Sequence, residues 1–364
     1  MASQRLESLD SIRGLAALAV LLGHTLAVFD WPEIYTSWSQ WPIFNMMVDG
    51  RSAVTMFFVL SGFVLARPFL ILPGKAMYVP AFYLRRIARI WLPWFFVFLA
   101  SLAACRWLMF DGQTHPPVSS WLTGFWHESL SWKDLGKQLI FQLHDPSRLL
   151  LPQDWSLGVE LKGSALMPIF LIMARQRLYW LWFGICALLF FIFIPTGSYY
   201  ISFIIGVLLA RHPVWVEKLK TMDFHRKLTL LLLGIAGYET RWFLNHFDEH
   251  GRWADQSVWI VTSFGCAMII LASLSSRRIG GFLIKRPLLF VGQVSYSVYL
   301  LQFIVLICFT PVIVHQLNFT SIGTLGLFIV ALSSSFALTL ALAWMVYRCV
   351  EMPSITFGHW LSRH

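Results

Sequence analysis

Charge is what this sequence has least of: 13% of its 364 residues are Asp, Glu, Lys or Arg, against about 25% in a water-soluble domain. A surface wetted on all sides is excluded. Cysteine is scarce as well. Cys105, Cys186, Cys266, Cys308 and Cys349 lie in or beside apolar stretches with no close spacing. No Cys-x-x-Cys or His-Glu-x-x-His motif occurs, so no metal is implied, and the five thiols read as small packing residues. Long polar linkers, low-complexity tracts and internal repeats are missing too, so residues 1–364 are expected to form a single transmembrane domain with no appended soluble domain.

What fills the space is apolar: 57% of residues are hydrophobic, with 18 Trp and 31 Phe. Apolar runs lie near 12–29, 53–72, 90–110, 155–173, 178–194, 198–210, 228–244, 257–275, 287–314 and 323–347. Several, notably 198–210, are shorter than the ~20 residues that cross a bilayer. The first run follows a charged start as a secretory signal would, but no small-residue cleavage site ends it, so it reads as an uncleaved span. The net charge of +10 sits in short loops between these runs, which excludes a nucleic-acid face and makes membrane lipid the partner. With the N-terminus in the cytoplasm, 20 of the 28 Lys and Arg fall on the inner side. The expected fold class is therefore all-α: a polytopic membrane protein of about ten transmembrane helices with both termini cytoplasmic.

Ionisable residues inside such spans are costly and mark function. In the first span Arg13 precedes His24 by eleven residues, three turns plus ~20°, so the two share a helix face about 16 Å apart. Taken singly, Arg13 also reads as a snorkelling anchor and His24 as a packed histidine. The fourth run opens Asp154-Trp155-Ser156-Leu157-Gly158-Val159-Glu160 and carries Lys162. Entering from outside, Glu160 is expected to approach the depth of His24, an acid/base pair; the structural alternative is a Glu160–Lys162 or Glu160–Arg tether between helices. Arg85, Arg86 and Arg89 stand at an inner helix entrance, where they obey the positive-inside rule and also suit the phosphates of a nucleotide-bearing donor. Ser61-Gly62 reads as close helix packing rather than as a nucleophile. The longest outer segment, roughly 111–153, holds Trp121, Trp126, Trp132, His127, His144 and Asp145, aromatics that anchor at an interface or stack on sugars.

Arg13 and His24, Phe57-Phe58-Val59-Leu60-Ser61-Gly62-Phe63, Arg86-x-x-Arg89, Trp155-Ser156-Leu157-x-x-Glu160, Ser295-Tyr296-x-x-Tyr299-Leu300 and Glu351-x-Pro353 occur in this order from residue 10 to 353. Together they resemble the membrane acyltransferase 3 family of bacterial O-acyltransferases. The resemblance implies a multi-pass protein of the bacterial inner membrane. It would move an acyl group, commonly acetyl, from cytoplasmic acyl-CoA to a hydroxyl of a glycan or small-molecule acceptor. Acyl-CoA would be a co-substrate, with no bound cofactor. It further implies His24 and Glu160 as the catalytic pair and Arg13, Arg86 and Arg89 as donor-binding residues. Asp10, Trp155, Ser156, Tyr299 and Gln302 are accessory candidates. Gln302 departs from the family, which often has histidine there; an amide hydrogen-bonds but cannot shuttle a proton.

Polar stripes on helices also occur in transporters and flippases, although neither an inverted repeat nor paired broken helices stand out. A non-catalytic scaffold in which His24 is dispensable is the third class.

Overall fold

A computed structural model describes residues 7–28, 41–71, 77–111, 119–126, 130–143, 145–244, 252–317 and 323–362. Arg5, Lys75, His127, His144 and Arg363 lie outside the described residues. Among the described residues the structure is helical with no strand. Each expected apolar run is carried by a helix: α1 Glu7–Val28, α2 Gly50–Ile71, α3 Val79–Asp111, α4 Asp154–Arg175, α5 Tyr179–Phe193, α6 Gly197–Arg211, α7 Phe224–Tyr238, α8 Arg252–Ser275, α9 Arg286–Ile304 and α10 Thr324–Val346. Helices α9 and α10 continue through π-helical turns, Val305–Phe309 and Tyr347–Glu351, into Thr310–Leu317 and Met352–Leu361.

By length and composition α1, α2, α3, α8, α9 and α10 are candidate membrane spans. Two more arise if bent pairs count as one each: α4, bent by 44°, and α6 with Pro213–Lys220, bent by 63°. Six to eight candidates thus stand where about ten were expected. The reason is local. Helix α5 has 15 residues and stops before Pro195, and α7, also 15 residues, stops at Glu239; each rises about 22 Å, short of a ~30 Å hydrocarbon core. Proline also bends the other two, since Pro168 and Pro213 lack the N–H that would continue the ladder. The expectation of unbroken helices is corrected at those two places. Helix α5 buries one residue, Phe183, and turns Trp180, Leu188 and Phe193 outward at 61, 57 and 71% exposure. An apolar helix with an apolar exterior is stable against lipid, and the molecule is a multi-pass membrane protein.

The chain forms two compact units, each drawn from three stretches of sequence. The first comprises Met1–Ala16, Arg51–Tyr83 and Lys162–Gln293. There α2 and α6 cross backbone to backbone: a Cβ on Gly62 would meet the Phe203 carbonyl oxygen at 2.2 Å, and one on Gly206 the Val59 oxygen at 2.2 Å. Only glycine permits that approach, which is the close packing expected of Ser61-Gly62. Buried hydroxyls add interhelical bonds, Ser202 Oγ to Ser263 Oγ at 2.7 Å and Ser52 Oγ donating to the Tyr238 carbonyl at 3.0 Å.

The second unit comprises Ala17–Gly50, Leu84–Leu161 and Val294–His364. It holds every expected site residue except Asp10 and Arg13. The segment between α3 and α4, expected to lie outside, folds back against α3. Trp91 Nε1 donates to the Leu139 carbonyl at 3.1 Å, the Phe141 ring packs on Trp94 at 4.7 Å, and Trp94 Nε1 donates to Asp154 Oδ1 at 2.6 Å. Gln138, 1% exposed, clamps the return by donating to the Arg148 carbonyl and accepting from the Leu150 N–H. Trp94 precedes Asp111 by seventeen residues, so α4 starts about 25 Å along α3 from that end rather than level with it.

Candidate active site

Tyr296, Tyr299 and Gln302 recur every third position of α9 and share one face, about 9 Å from first to last. At the first level the Tyr296 hydroxyl donates to the Ile90 carbonyl at 2.6 Å, with Glu160, Glu351 and Asp154 as its carboxylate neighbours. Glu160 forms an ion pair and hydrogen bond with Arg86; their side chains are 20% and 10% exposed. At the second level Ser156 Oγ lies 2.6 Å from Tyr299 Oη. Because Ser156 donates to the Gln153 carbonyl at 2.9 Å, the tyrosine hydroxyl is the donor. Gln153 Nε2 in turn donates to the Leu300 carbonyl at 2.9 Å, which ties the start of α4 to α9.

At the third level Gln302, fully buried, donates from Nε2 to the Tyr299 carbonyl at 3.2 Å, and its side chain is the polar neighbour of His24. The imidazole stacks on Trp121 at 5.5 Å and 30°. The contact follows from how α1 ends. The Ser119 N–H donates to the Val28 carbonyl at 2.9 Å and its hydroxyl to the Ala27 carbonyl, satisfying acceptors of the last turn and laying the next residues over His24. Phe125 and Phe303 brace Trp121 edge-on at 5.3 and 6.2 Å. His24 Nδ1 and Gln302 Oε1 are sealed from solvent. Buried polar atoms are normally paired, and the Gln302 side chain is the hydrogen-bonding neighbour that the imidazole has here.

The structure brings together Arg86 with Glu160, Ser156 with Tyr299, and Gln302 with His24. It sets His24 and Glu160 at opposite ends of the α9 stripe, because α4 begins deep along α3. Arg89 is exposed one turn from Arg86 and adds to its positive field. Trp155 is 41% exposed. In the first unit the Arg13 guanidinium stands 3.7 Å from Asp10 on α1. Of the outer tryptophans, Trp121 meets His24, Trp126 is buried with Nε1 donating to the Leu150 carbonyl, and Trp132 is 86% exposed. Cys105 and Cys266 are buried as packing residues, whereas Cys349 faces outward. Sequence reasoning passed over Asp154, which is 3% exposed with Oδ2 unpartnered. The signal was Trp94: an indole in an apolar run needs an acceptor for its N–H.

Ionisable groups gathered along one stripe of a lipid-facing helical protein, an imidazole and an ion pair, mark a functional site rather than a purely structural span. Residues 6–348 match the acyltransferase 3 family model, described as an acyltransferase domain, and the chain belongs to that family. Over 202 residues, 45% of the chain, it is 27% identical to the O-acetyltransferase PaAT-1 of Phomopsis amygdali. The match covers 39% of that relative's length, so the chain spans about two fifths of it. No solved structure matches the chain.

Proposed function

We propose that residues 1–364 act as one membrane O-acyltransferase domain that moves an acyl group, acetyl above all, from cytoplasmic acyl-CoA to a hydroxyl of a glycan or related envelope or secreted acceptor. The observation that carries the reading is His24, half-buried with its Nδ1 sealed from solvent and its ring beside Gln302, in a chain of acyltransferase family. Neutral His24 takes the hydroxyl proton as the acceptor oxygen attacks the thioester carbonyl carbon; the C–S bond breaks, and the imidazolium returns the proton to the thiolate. The Gln302 amide orients the ring. Glu160, held by Arg86, is the second catalytic group and lies toward the donor's entrance. Arg86 and Arg89 of the second unit bind the donor's phosphates, and Arg13 of the first unit is a further donor-binding residue in this reading. The host membrane in this reading is a bacterial inner membrane.

In proteoliposomes given acetyl-CoA and a glycan acceptor, His24→Ala lowers turnover by roughly 10²–10⁴-fold, and Glu160→Gln lowers it as well. Full activity in both variants overturns the site. Mass spectrometry of surface glycans with and without the gene names acceptor and acyl group together. The bends in α4 and after α6 favour a second reading, a transporter or flippase of an acylated or phosphorylated solute, because broken helices often line permeation paths. Solute flux in liposomes lacking acyl-CoA, with no acyl transfer when it is added, supports that reading.

A further inference from the structure

The aromatic wall over His24 does more than pack. One face of the imidazole is covered by Trp121 and the other polar contact is Gln302, while Nδ1 is out of reach of solvent. Trp121 itself is held by three supports: Phe125 and Phe303 edge-on, Phe125 and Phe303 against each other at 4.9 Å, and the Ser119 bonds that fasten its segment to the end of α1. A general base that accepts a proton from a sugar hydroxyl accepts one equally well from water, and water is present at about 55 M wherever the base is open to it. Resting on the acyl-transfer reading above, we infer that Trp121 is the specificity-determining residue that sends the acyl group to the acceptor instead of to water, by closing the outer face of His24.

The competing reaction balances simply. A water oxygen attacks the thioester carbonyl carbon, His24 takes one water proton, the C–S bond breaks, and the products are the free carboxylic acid and the protonated thiol. The wild-type wall suppresses this step. Trp121→Ala opens it, so acceptor-independent thiol release rises roughly tenfold relative to acyl transfer, the change that a barrier lowered by one aromatic contact supports. Trp121→Phe keeps a ring over the imidazole and holds the ratio near wild type. Phe125→Leu, which removes one brace, raises the ratio by less than Trp121→Ala.

The experiment measures both rates in one proteoliposome preparation, thiol release from acetyl-CoA and label transferred to a glycan acceptor, for wild type and the three variants. A raised hydrolysis-to-transfer ratio in Trp121→Ala with rescue in Trp121→Phe supports the inference. An unchanged ratio in Trp121→Ala and Phe125→Leu overturns it while leaving the function standing. Wild-type protein that transfers no acyl group overturns the function itself. Should Trp121→Ala fail to fold, Trp121→Leu replaces it with the same two outcomes.

Discussion

Arg86 and Glu160 each make the other's burial tolerable. With side chains only 10% and 20% exposed, neither charge is well solvated alone, and removing one partner strands the other at a cost of about 3 kcal/mol. Arg86→Ala is therefore expected to lower the thermal midpoint of the detergent-solubilised protein more than the double change Arg86→Met with Glu160→Gln, in which no charge is left behind. A single variant as stable as the double one would remove the tether from the account. At this scale the sequence was readable for residue type and not for pairing. His24, Arg86 and Glu160 announce themselves as ionisable groups in apolar runs. Their partners depend on where α4 starts, and that is fixed by Trp94 on Asp154 and by the Gln138 clamp, contacts between residues too far apart in the chain for periodicity to report.

Helices and their connections carry the next level of prediction. The crossing of α2 with α6 rests on glycine, so Gly62→Leu forces a side chain into the Phe203 carbonyl and costs about 3 kcal/mol or more. A Cβ added to Gly184 on α5 would meet nothing within 4 Å, and Gly184→Ala gains up to about 1 kcal/mol through helix propensity. Paired thermal scans of the two variants read the contrast, and equal shifts would refute the close crossing. The segment between α3 and α4 is held partly by a capping box at Trp132–Leu139, where the Ser131 hydroxyl accepts from the Asp134 N–H and the Asp134 carboxylate accepts from Ser131. The Ser131 hydroxyl, then its backbone N–H, hold the Asp134 carboxyl below the usual carboxylate range. A depressed value stabilises the fold above the unfolded-state pKa of about 3.9, and that contribution is lost as pH falls through the lower folded value. Hydrogen-exchange protection across residues 131–141, referred to the intrinsic rate at each pH, should fall with acidification in that window, and Ser131→Ala should flatten the response. The helical positions were legible from apolar runs; the fold-back of this segment was not, since its polar composition reads equally as an exposed loop.

For the molecule as a whole, the open quantity is how many of the ten helices cross. If α5 and α7, each 15 residues, did not span, the chain would cross eight times. The stretch from Arg211 to Lys227 would then lie outside, taking Arg211, Lys218, Lys220, Arg226 and Lys227 with it. Ten crossings keep those five basic residues inside with both termini, as the positive-inside rule favours. The cost of the short helices is small by comparison. A mismatch of several Å is met by local thinning of the bilayer at fractions of a kcal/mol per Å, whereas each Lys or Arg near the inner leaflet gains about 1 kcal/mol from anionic lipid. The two topologies differ at the turn between α5 and α6 and at the loop after Pro213–Lys220. In a cysteine-free background, Thr196→Cys should react with a membrane-impermeant maleimide on intact cells, while Thr221→Cys should react only after permeabilisation. The opposite labelling pattern would establish eight crossings, and would place the basic loop with the outer tryptophans rather than with the donor's entrance.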